Sequence, residues 1–267
     1  MLSDSYLRRY GNKNHELIIH CKFGTEKKLM ADFHFTQIGT IHSPYKEKFA
    51  IPRQPGLVED GTGQLELLAP YNQADAVRGL EQFSHLWIVF VFHQTMNGGW
   101  NPLVRPPRLG GNAKMGVFAT RSTFRPNPIG MSLVELKGID YQNNRVLLQL
   151  GSLDLVDGTP VLDIKPYLPF AESRPDAKAG FAQEAPNTDM EVCFSSNAEH
   201  QLLCHQVSYP QLRRFICQIL AQDPRPAYRK KEQENRIYAA HILDFNVRWL
   251  INGAITEVVS IELRYPQ

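Results

Sequence analysis

LWIVFVF (residues 86–92) is the longest apolar run in this sequence of 267 residues. It is rich in β-branched and aromatic residues and far shorter than the roughly 20 residues that span a bilayer, so it predicts a buried β-strand. Shorter segments with strand character, bounded by turn residues, lie on both sides of it at 35–44, 63–70, 115–120, 131–139, 145–152 and 160–168. Many short strands of this kind predict a mainly β fold, with an N-terminal single-sheet β-barrel or strongly curved sheet.

Helical spacing of apolar residues occurs in two places. Residues 72–85 place Ala76, Val77, Leu80 and Phe83 on one face, which predicts a short amphipathic helix. Residues 209–222 carry a longer apolar stripe, formed by Leu212, Phe215, Ile216, Ile219 and Leu220.

The composition changes at residues 169–186, where alanine, proline, serine and charged residues predict a linker. Beyond it, residues 188–195 predict a strand. Residues 236–251 and 254–263 predict a hairpin that turns at Asn252 and Gly253, a dipeptide favoured in type I′ turns. The sequence therefore predicts an extension in residues 1–30, the β-barrel domain in residues 31–175 and a small α+β domain in residues 187–267.

Composition excludes several classes of protein. With 43% hydrophobic and 21% charged residues, the chain is typical of globular proteins rather than disordered or fibrous ones. The four cysteines are far apart and form no CxxC pair, which predicts reduced thiols in a cytoplasmic protein rather than a zinc or disulfide framework. Residues 1–29 contain one short apolar patch, LII, which is too short for a secretory signal, and no segment suits a membrane span.

The net charge of +2 conceals an uneven distribution of charged residues. Residues 82–134 include no Asp or Glu, although 27 acidic residues in 267 predict about five there. The basic residues of this acid-free window are Arg105, Arg108, Lys114, Arg121 and Arg125. A second basic cluster consists of Arg213, Arg214, Arg225, Arg229, Lys230, Lys231 and Arg236. One such cluster is typical of a solvated surface, but two, interspersed with Pro, Gly and aromatic residues, indicate a polyanion such as nucleic acid.

Familiar enzyme motifs are missing from the sequence: it has no GxGxxG after a strand, no P-loop, no HExxH and no GxSxG, so a Rossmann site is not indicated. Four polar stretches remain as candidates for a site, namely IPRQPGL (51–57), HQ (93–94), ATRSTFRPNPIGMS (119–132) and SLDLVDGTPVLDIKPYLP (152–169). Prolines restrict the backbone around Arg53 and Gln54, and Arg121 can bind phosphate or carboxylate. Each stretch also has a structural explanation, as a rigid turn, a structural histidine or, for Asp157 and Asp163, a turn cap.

Taken together, these stretches resemble the hallmark blocks of the TsaA-like family, the tRNA (adenine-N6)-methyltransferases called TrmO. The resemblance covers residues 35–172 continuously, and DPRPAYRK (223–230) resembles the accessory C-terminal domain of the bacterial members. It implies a small single-sheet β-barrel that binds S-adenosyl-L-methionine and acts as a homodimer. The implied reaction is methylation of N6 in N6-threonylcarbamoyladenosine, beside the anticodon of threonine tRNA.

The resemblance also implies where the ligands bind. By position, the cofactor contacts are Pro52, Arg53, Gln54, His93, Gln94, Arg121, Met131, Asp154, Leu155, Val156 and Asp157. For the tRNA, Arg225 and Arg229 are predicted to hold phosphates and Tyr228 to stack on a base. Either Asp154 or Asp157 could accept the N6 proton, or could instead hydrogen-bond the cofactor ribose. No catalytic base and no metal ligand are therefore assigned.

Two other functions remain open at this stage. A non-catalytic RNA-binding module explains both basic clusters but gives no role to residues 51–57 or to the Asp-rich stretch. It would bind RNA without affinity for S-adenosyl-L-methionine. A metal-dependent hydrolase that uses His93, Asp154 and Asp157 lacks a recognisable ligand spacing, and activity that survives a chelator would exclude it.

Overall fold

The computed structural model describes residues 16–17, 32–186, 188–225 and 236–264, which form fourteen strands and three α-helices. The strands are β1 Glu16–Leu17, β2 Phe35–Thr36, β3 Gly39–His42, β4 Gly63–Leu67, β5 His85–Val91, β6 Leu103–Val104, β7 Met115–Gly116, β8 Ile129–Gln142, β9 Arg145–Gly151, β10 Pro160–Pro166, β11 Glu191–Phe194, β12 Tyr238–Ile242, β13 Phe245–Asn252 and β14 Ile255–Leu263. The helices are α1 Pro169–Glu172, α2 Ser196–His205 and α3 Leu212–Leu220.

Six of these strands form one antiparallel sheet that closes into a ring. The order is β10-β3-β4-β9-β8-β5, and β5 pairs back onto β10. The apolar run of residues 86–92 fills part of the inside of the ring, since Leu86, Ile88 and Phe90 are at most 7% exposed. Trp87 and Val89, on the other face of the strand, are partly exposed. The predicted mainly β chain with a curved N-terminal sheet is confirmed.

The predicted helix in residues 72–85 is wrong. This segment forms two short 3₁₀ turns, Ala74–Val77 and Leu80–Gln82. Between them Arg78 has ψ +123°, outside the helical region, and Gly79 has φ +85°, a left-handed conformation that an α-helix does not accommodate. Val77 is nevertheless buried, so the apolar spacing reports burial rather than a continuous helix.

The predicted strand at residues 115–120 is also shorter than expected. Only Met115–Gly116 is a strand, paired with β6, and Val117–Ala119 form a 3₁₀ turn. Most of the predicted extension in residues 1–30 lies outside the described residues; within it, Glu16–Leu17 pairs with β2. Among the described residues, no helix combines the length and the hydropathy that crossing a membrane requires.

The C-terminal part is a four-stranded sheet, ordered β11-β14-β13-β12, with two helices. The predicted stripe of α3 is confirmed, since all five of its apolar residues are buried. The sequence failed to predict α2, which buries only Ala198 and Leu202 and so shows little helical periodicity. It also failed to predict the turn between β12 and β13, where Leu243 has φ +52°. The next hairpin turns at Gly253 and Ala254, one residue later than predicted.

The β3–β4 loop (residues 43–62) joins the two parts of the molecule. Tyr45 pairs with Ile242 and packs on Phe215 of α3, and Phe49 stacks on Trp249 at 5.7 Å between ring centroids. Buried residues of the ring and of the C-terminal sheet form one continuous hydrophobic core through these contacts. The predicted domain limits at residues 175 and 187 lie between β10 and β11 and stay a prediction.

Candidate functional site

A cavity of about 480 Å³ lies where β5 ends, beside the β3–β4 loop. Four separate stretches of the chain line it, and they are the four stretches that the sequence singles out. The predicted site residues that line it are Pro52, Arg53, Gln54, His93, Gln94, Arg121, Met131, Asp154, Leu155 and Val156. Asp157 lies outside the lining.

The first wall is the part of the β3–β4 loop around Gln54. Ala50, which precedes it, has φ +69° and is buried, so the chain turns sharply before the loop enters the cavity. Arg121 Nη1 donates to Gln54 Oε1 over 2.5 Å, and Gln54 Nε2 donates to the carbonyl oxygen of Arg53. These two bonds tie the loop to the segment that precedes β8, although the residues are 67 apart in sequence.

The second wall is the end of β5. Burial lowers the pKa of His93, the nearby charge of Lys48 lowers it further, and a hydrogen bond to the backbone of Val91 opposes both effects. These effects favour the neutral form of His93, in which one ring nitrogen donates and the other accepts. Lys48 Nζ donates to the carbonyl oxygen of Gln94 over 2.9 Å, which holds this end of the strand against the β3–β4 loop.

The third wall is the start of β8. Gly130 lies opposite Phe90 in the ring, and a Cβ atom at this position would come within 2.4 Å of the Phe90 ring and 2.8 Å of the Phe92 ring. Glycine is thus required for the two rings to pack at 5.0 Å and line the cavity. The next residue, Met131, is 53% exposed at the cavity.

Arg125, four residues after Arg121, has a structural role. Its guanidinium donates to the carbonyl oxygens of Thr120, over 2.7 Å, and Val117, over 3.3 Å, and lies over the Phe118 ring. These contacts fasten the loop in front of β8 and so hold Arg121 in place.

The fourth wall is the loop between β9 and β10, which contains Asp154. Ser152 has φ +55° and turns this loop toward the cavity. The hydroxyl of Ser132, a buried residue of β8, donates to Asp154 Oδ1. Burial raises the pKa of Asp154 to about 6, although the bond from Ser132 and the positive charge of Arg121 lower it.

Asp157 has a different environment from Asp154. Its Oδ1 accepts from the backbone N–H of Ser43 over 2.8 Å, and its Oδ2 forms a salt bridge with Lys46 at 2.9 Å. Asp157 thus attaches the β9–β10 loop to the start of the β3–β4 loop. Asp163 pairs with Lys165 on β10, also outside the cavity lining, so it lies within a strand and not at the turn where the sequence suggested a cap.

Three described arginines of the second basic cluster, Arg213, Arg214 and Arg225, are engaged within the molecule. Arg225 is 7% exposed and bound by both oxygens of Asp223, so its guanidinium offers little surface to RNA. Arg213 pairs with Glu199 and Arg214 with Glu59 and Asp60. Tyr228 and Arg229, the other predicted RNA contacts, lie outside the described residues.

The acid-free window, by contrast, presents its charge to solvent. Its exposed basic residues are Arg105, Arg108, Lys114 and Arg121. The described cavity lining includes three cations, Lys48, Arg53 and Arg121, against the single carboxylate of Asp154. Such a surface favours an anionic partner at the cavity mouth.

The chemistry of the lining suits an organic ligand with a planar part and a polar part. Phe90, Phe92 and Phe124 offer aromatic surface, and the amides, the arginines and Asp154 offer hydrogen bonds. Within the part of the chain that the structure describes, no group of three His, Cys, Asp or Glu side chains could hold a metal ion.

Sequence reasoning missed several lining residues. Lys48, Phe90, Phe92, Phe124 and Thr159 line the cavity, and Ser132 supports it, without having been predicted as site residues. Lys48 lies outside the motif stretches, and only the fold brings it to Gln94. The rest lie within or beside motif stretches, where their apolar or small side chains give no separate signal.

Comparison with known proteins gives the site a context. Residues 40–173 match the model of the tRNA-methyltransferase O N-terminal domain, and residues 187–264 match the model of the TrmO C-terminal domain. A tRNA (adenine(37)-N6)-methyltransferase of Escherichia coli K12 is 68% identical over 88% of this chain and all of its own length. A putative S-adenosylmethionine-dependent methyltransferase, RcsF of Pseudomonas aeruginosa, is 49% identical over 79% of this chain and 90% of its own. The crystal structure of TrmO from P. aeruginosa superposes with a TM-score of 0.71 and 41% identity, covering 89% of this chain and 100% of that one.

Proposed function

Because the chain belongs to the tRNA-methyltransferase O family, we propose that it transfers a methyl group from S-adenosyl-L-methionine to N6 of N6-threonylcarbamoyladenosine at position 37 of threonine tRNA. Its relatives are named for the general activity, tRNA (adenine(37)-N6)-methyltransferase, without the modified base or the tRNA. The proposal adds the substrate, namely the modified base and the tRNA that carries it. The closed six-stranded ring corresponds in this proposal to the β-barrel that the family resemblance implies.

One observation supports this function above the others: the four motif stretches, which are distributed over residues 51–169, meet around one cavity. Its volume of about 480 Å³ lies in the range of roughly 300–1,000 Å³ that small-molecule sites occupy. Aromatic side chains suit an adenine ring, and Gln54, Gln94 and Arg121 suit the polar groups of a nucleoside and an amino acid.

S-adenosyl-L-methionine, when bound, supplies a methyl group already activated by its positive sulfur, so the protein's main task is alignment. Gln54 and Arg121 would hold the cofactor from one side, and His93 and Gln94 from the end of β5. Met131 would cover it at the mouth of the cavity. Asp157 would act indirectly, because its contacts with Ser43 and Lys46 hold the Asp154 loop in place.

The tRNA would approach across the acid-free window, where Arg105, Arg108, Lys114 and Arg121 are exposed and Arg121 lines the cavity. A base in an anticodon loop leaves its stack more easily than one in a duplex, so adenosine 37 can enter a cavity of this kind. Residues 223–235 add further basic residues in the sequence, Arg229, Lys230 and Lys231, which lie outside the described residues.

A homodimer also fits the surface. Large apolar side chains between β5 and β9 are exposed, among them Phe118 at 74%, Leu103 at 50% and Met131 at 53%. Exposed apolar area of this kind commonly marks a protein interface. A cytoplasmic location agrees with Cys193, Cys204 and Cys217, which are free thiols.

The test combines binding and methyl transfer. We expect micromolar affinity for S-adenosyl-L-methionine by isothermal titration, a loss of at least tenfold in Arg121→Ala, and no change in Arg78→Ala. Arg78 is a matched control because it is exposed and paired only locally with Asp75. Transfer of a labelled methyl group is then measured on threonine tRNA with and without the threonylcarbamoyl group at position 37.

Each outcome of this test has a distinct meaning. Transfer that requires the threonylcarbamoyl group supports the whole proposal, whereas equal transfer to both tRNAs contradicts the proposed modified base. Salt-sensitive tRNA binding without affinity for S-adenosyl-L-methionine would instead favour the non-catalytic RNA-binding module.

A further inference from the structure

Asp154 is the one acidic side chain among the described residues that line the cavity. The other charged side chains there, Lys48, Arg53 and Arg121, are cations and cannot accept a proton at neutral pH. Asp154 also faces the cavity from a loop that two neighbouring elements hold in place, so its carboxylate has a defined position.

We propose that Asp154 is the catalytic residue that accepts the proton from the methylated nitrogen, and that Ser132 is its positioning residue. The inference rests on the proposed function, because it takes the N6 of an adenosine as the acceptor of the methyl group.

The need for a base follows from the chemistry of the acceptor. The lone pair of N6 is delocalised into the purine ring, and in a threonylcarbamoyl adenosine also into the adjacent carbonyl. Such a nitrogen is a poor nucleophile while its proton remains. A carboxylate within hydrogen-bond reach of the N–H therefore assists the attack.

The step balances as follows. N6 forms a bond to the methyl carbon, the pair of the broken C–S bond stays on sulfur, and the pair of the broken N6–H bond stays on nitrogen. The proton passes to the Asp154 carboxylate, which becomes neutral as the positive charge on sulfur is lost. Asp154 then releases this proton to water after the products have left.

Two other groups near the cavity are weaker candidates for this role. Both carboxylate oxygens of Asp157 are engaged, by Ser43 and by Lys46, and the residue lies outside the lining. His93 lies in the lining, but burial and Lys48 lower its pKa, which makes it a poorer proton acceptor.

The groups around Asp154 determine its titration. Ser132 faces it from β8, Arg121 from the segment before β8, and Tyr45 from the β3–β4 loop, and Lys48 and His93 share the cavity with it. Burial raises its pKa to about 6, so at pH 7 it is ionised yet more basic than an exposed aspartate. The bond from Ser132 acts in the opposite direction and lowers this pKa.

The test compares Asp154→Asn, Ser132→Ala, His93→Gln and Asp163→Asn. Asn keeps an oxygen that accepts from Ser132 but cannot take a proton, and Asp163, outside the lining, is the matched control. We expect Asp154→Asn to lower kcat at least ~100-fold, the usual scale of general base catalysis. Its Kd for S-adenosyl-L-methionine should stay within fivefold of the wild-type value, and Asp163→Asn should match the wild type in both.

Ser132→Ala tests the positioning role through the pH dependence of kcat/KM, which would not shift if Ser132 had a purely structural role. The acidic limb of kcat/KM against pH should shift to higher pH, because the bond that favours the ionised carboxylate is gone. In the protein without cofactor, the ¹³C resonance of the Asp154 carboxyl should titrate at a correspondingly higher pH.

Three results would overturn the inference. The first is near-wild-type kcat in Asp154→Asn, and the second is a loss of kcat in His93→Gln that abolishes the acidic limb instead. The third is a fall in cofactor affinity in Asp154→Asn that accounts for its entire loss of rate, since Asp154 would then be a cofactor ligand alone. If the wild-type protein binds S-adenosyl-L-methionine yet methylates no tRNA, the proposed function fails, and this inference with it.

Discussion

At the scale of single residues, the Asp154 carboxylate combines a functional position with a cost in stability. Burial raises its pKa from 3.8 to about 6, so the folded protein holds a proton that the unfolded chain has already lost between these two values. The free energy of unfolding therefore falls as pH rises through this window and stays lower above it. At pH 7 the penalty is about 3 kcal/mol at most, from ~1.4 kcal/mol per pKa unit.

We expect Asp154→Asn, the variant with impaired catalysis, to be more stable than the wild type. Because asparagine has no charge to bury, its advantage should grow by about 2 kcal/mol between pH 4.5 and pH 7.5. Urea unfolding of both proteins at these two pH values measures the difference. An advantage that does not change with pH would show that Asp154 is not the titrating group.

Residue chemistry explains which site residues the sequence can reveal. Arg53, Gln54 and Arg121 stand out because polar side chains between prolines and glycines suit a ligand better than a core. Ser132 and Lys48 do not stand out. Ser132 lies on β8 at a position whose side chain points into the ring, as every second residue of a strand does. Lys48 belongs to the site only because the fold brings it beside Gln94.

At the scale of elements, β8 contains two glycines in very different surroundings. At Gly130 a Cβ atom would lie 2.4 Å from the Phe90 ring, whereas at Gly138, on the same strand, it would meet nothing within 4 Å. The two positions form a matched pair, because both substitutions add one methyl group to β8.

We expect Gly130→Ala to destabilise the protein by about 1–3 kcal/mol, the usual cost of overpacking a core, and Gly138→Ala to change stability by less than ~0.5 kcal/mol. Gly130→Ala should also weaken binding of S-adenosyl-L-methionine, since Phe90 and Phe92 line the cavity. Thermal unfolding and isothermal titration test the pair. Equal effects of both substitutions would contradict the packing argument.

Elements with a strong apolar period could be predicted and those without it could not. Strand β5 and helix α3 each bury one face, and their sequences show it. Helix α2 buries two residues and depends on its Ser195 cap, whose side chain accepts from the backbone N–H of Ala198. Residues 72–85 have helical spacing, but Gly79 breaks them into two turns.

At the scale of the whole molecule, the β3–β4 loop makes the two parts one structure. Asp60 N–H donates to Gln218 Oε1, the backbone N–H of His241 donates to Glu47 Oε1, and Leu243 N–H donates to the carbonyl oxygen of Pro44. This loop also contributes Gln54 to the cavity, so the described C-terminal residues support the site without lining it.

We expect the ring and the C-terminal sheet to unfold in one cooperative transition, because their buried residues form a continuous core. Trp87 lies on the ring and Trp249 in the C-terminal sheet, so two single-tryptophan variants report on the parts separately. Coincident urea transitions are the expected result. Two separate midpoints would instead describe two independent domains.

The order of synthesis on the ribosome gives the shared loop a further consequence. Strand β14, at Ile255–Leu263, lies inside its sheet between β11 and β13, and it is translated last of the fourteen strands described. Gln54 of the β3–β4 loop leaves the ribosome some two hundred residues earlier. Phe49 of that loop packs on Trp249, and the sheet that contains Trp249 is complete only with β14. Although every described residue that lines the cavity precedes residue 160, the nascent chain therefore gains the C-terminal support of the β3–β4 loop only after nearly all of the described residues have been translated.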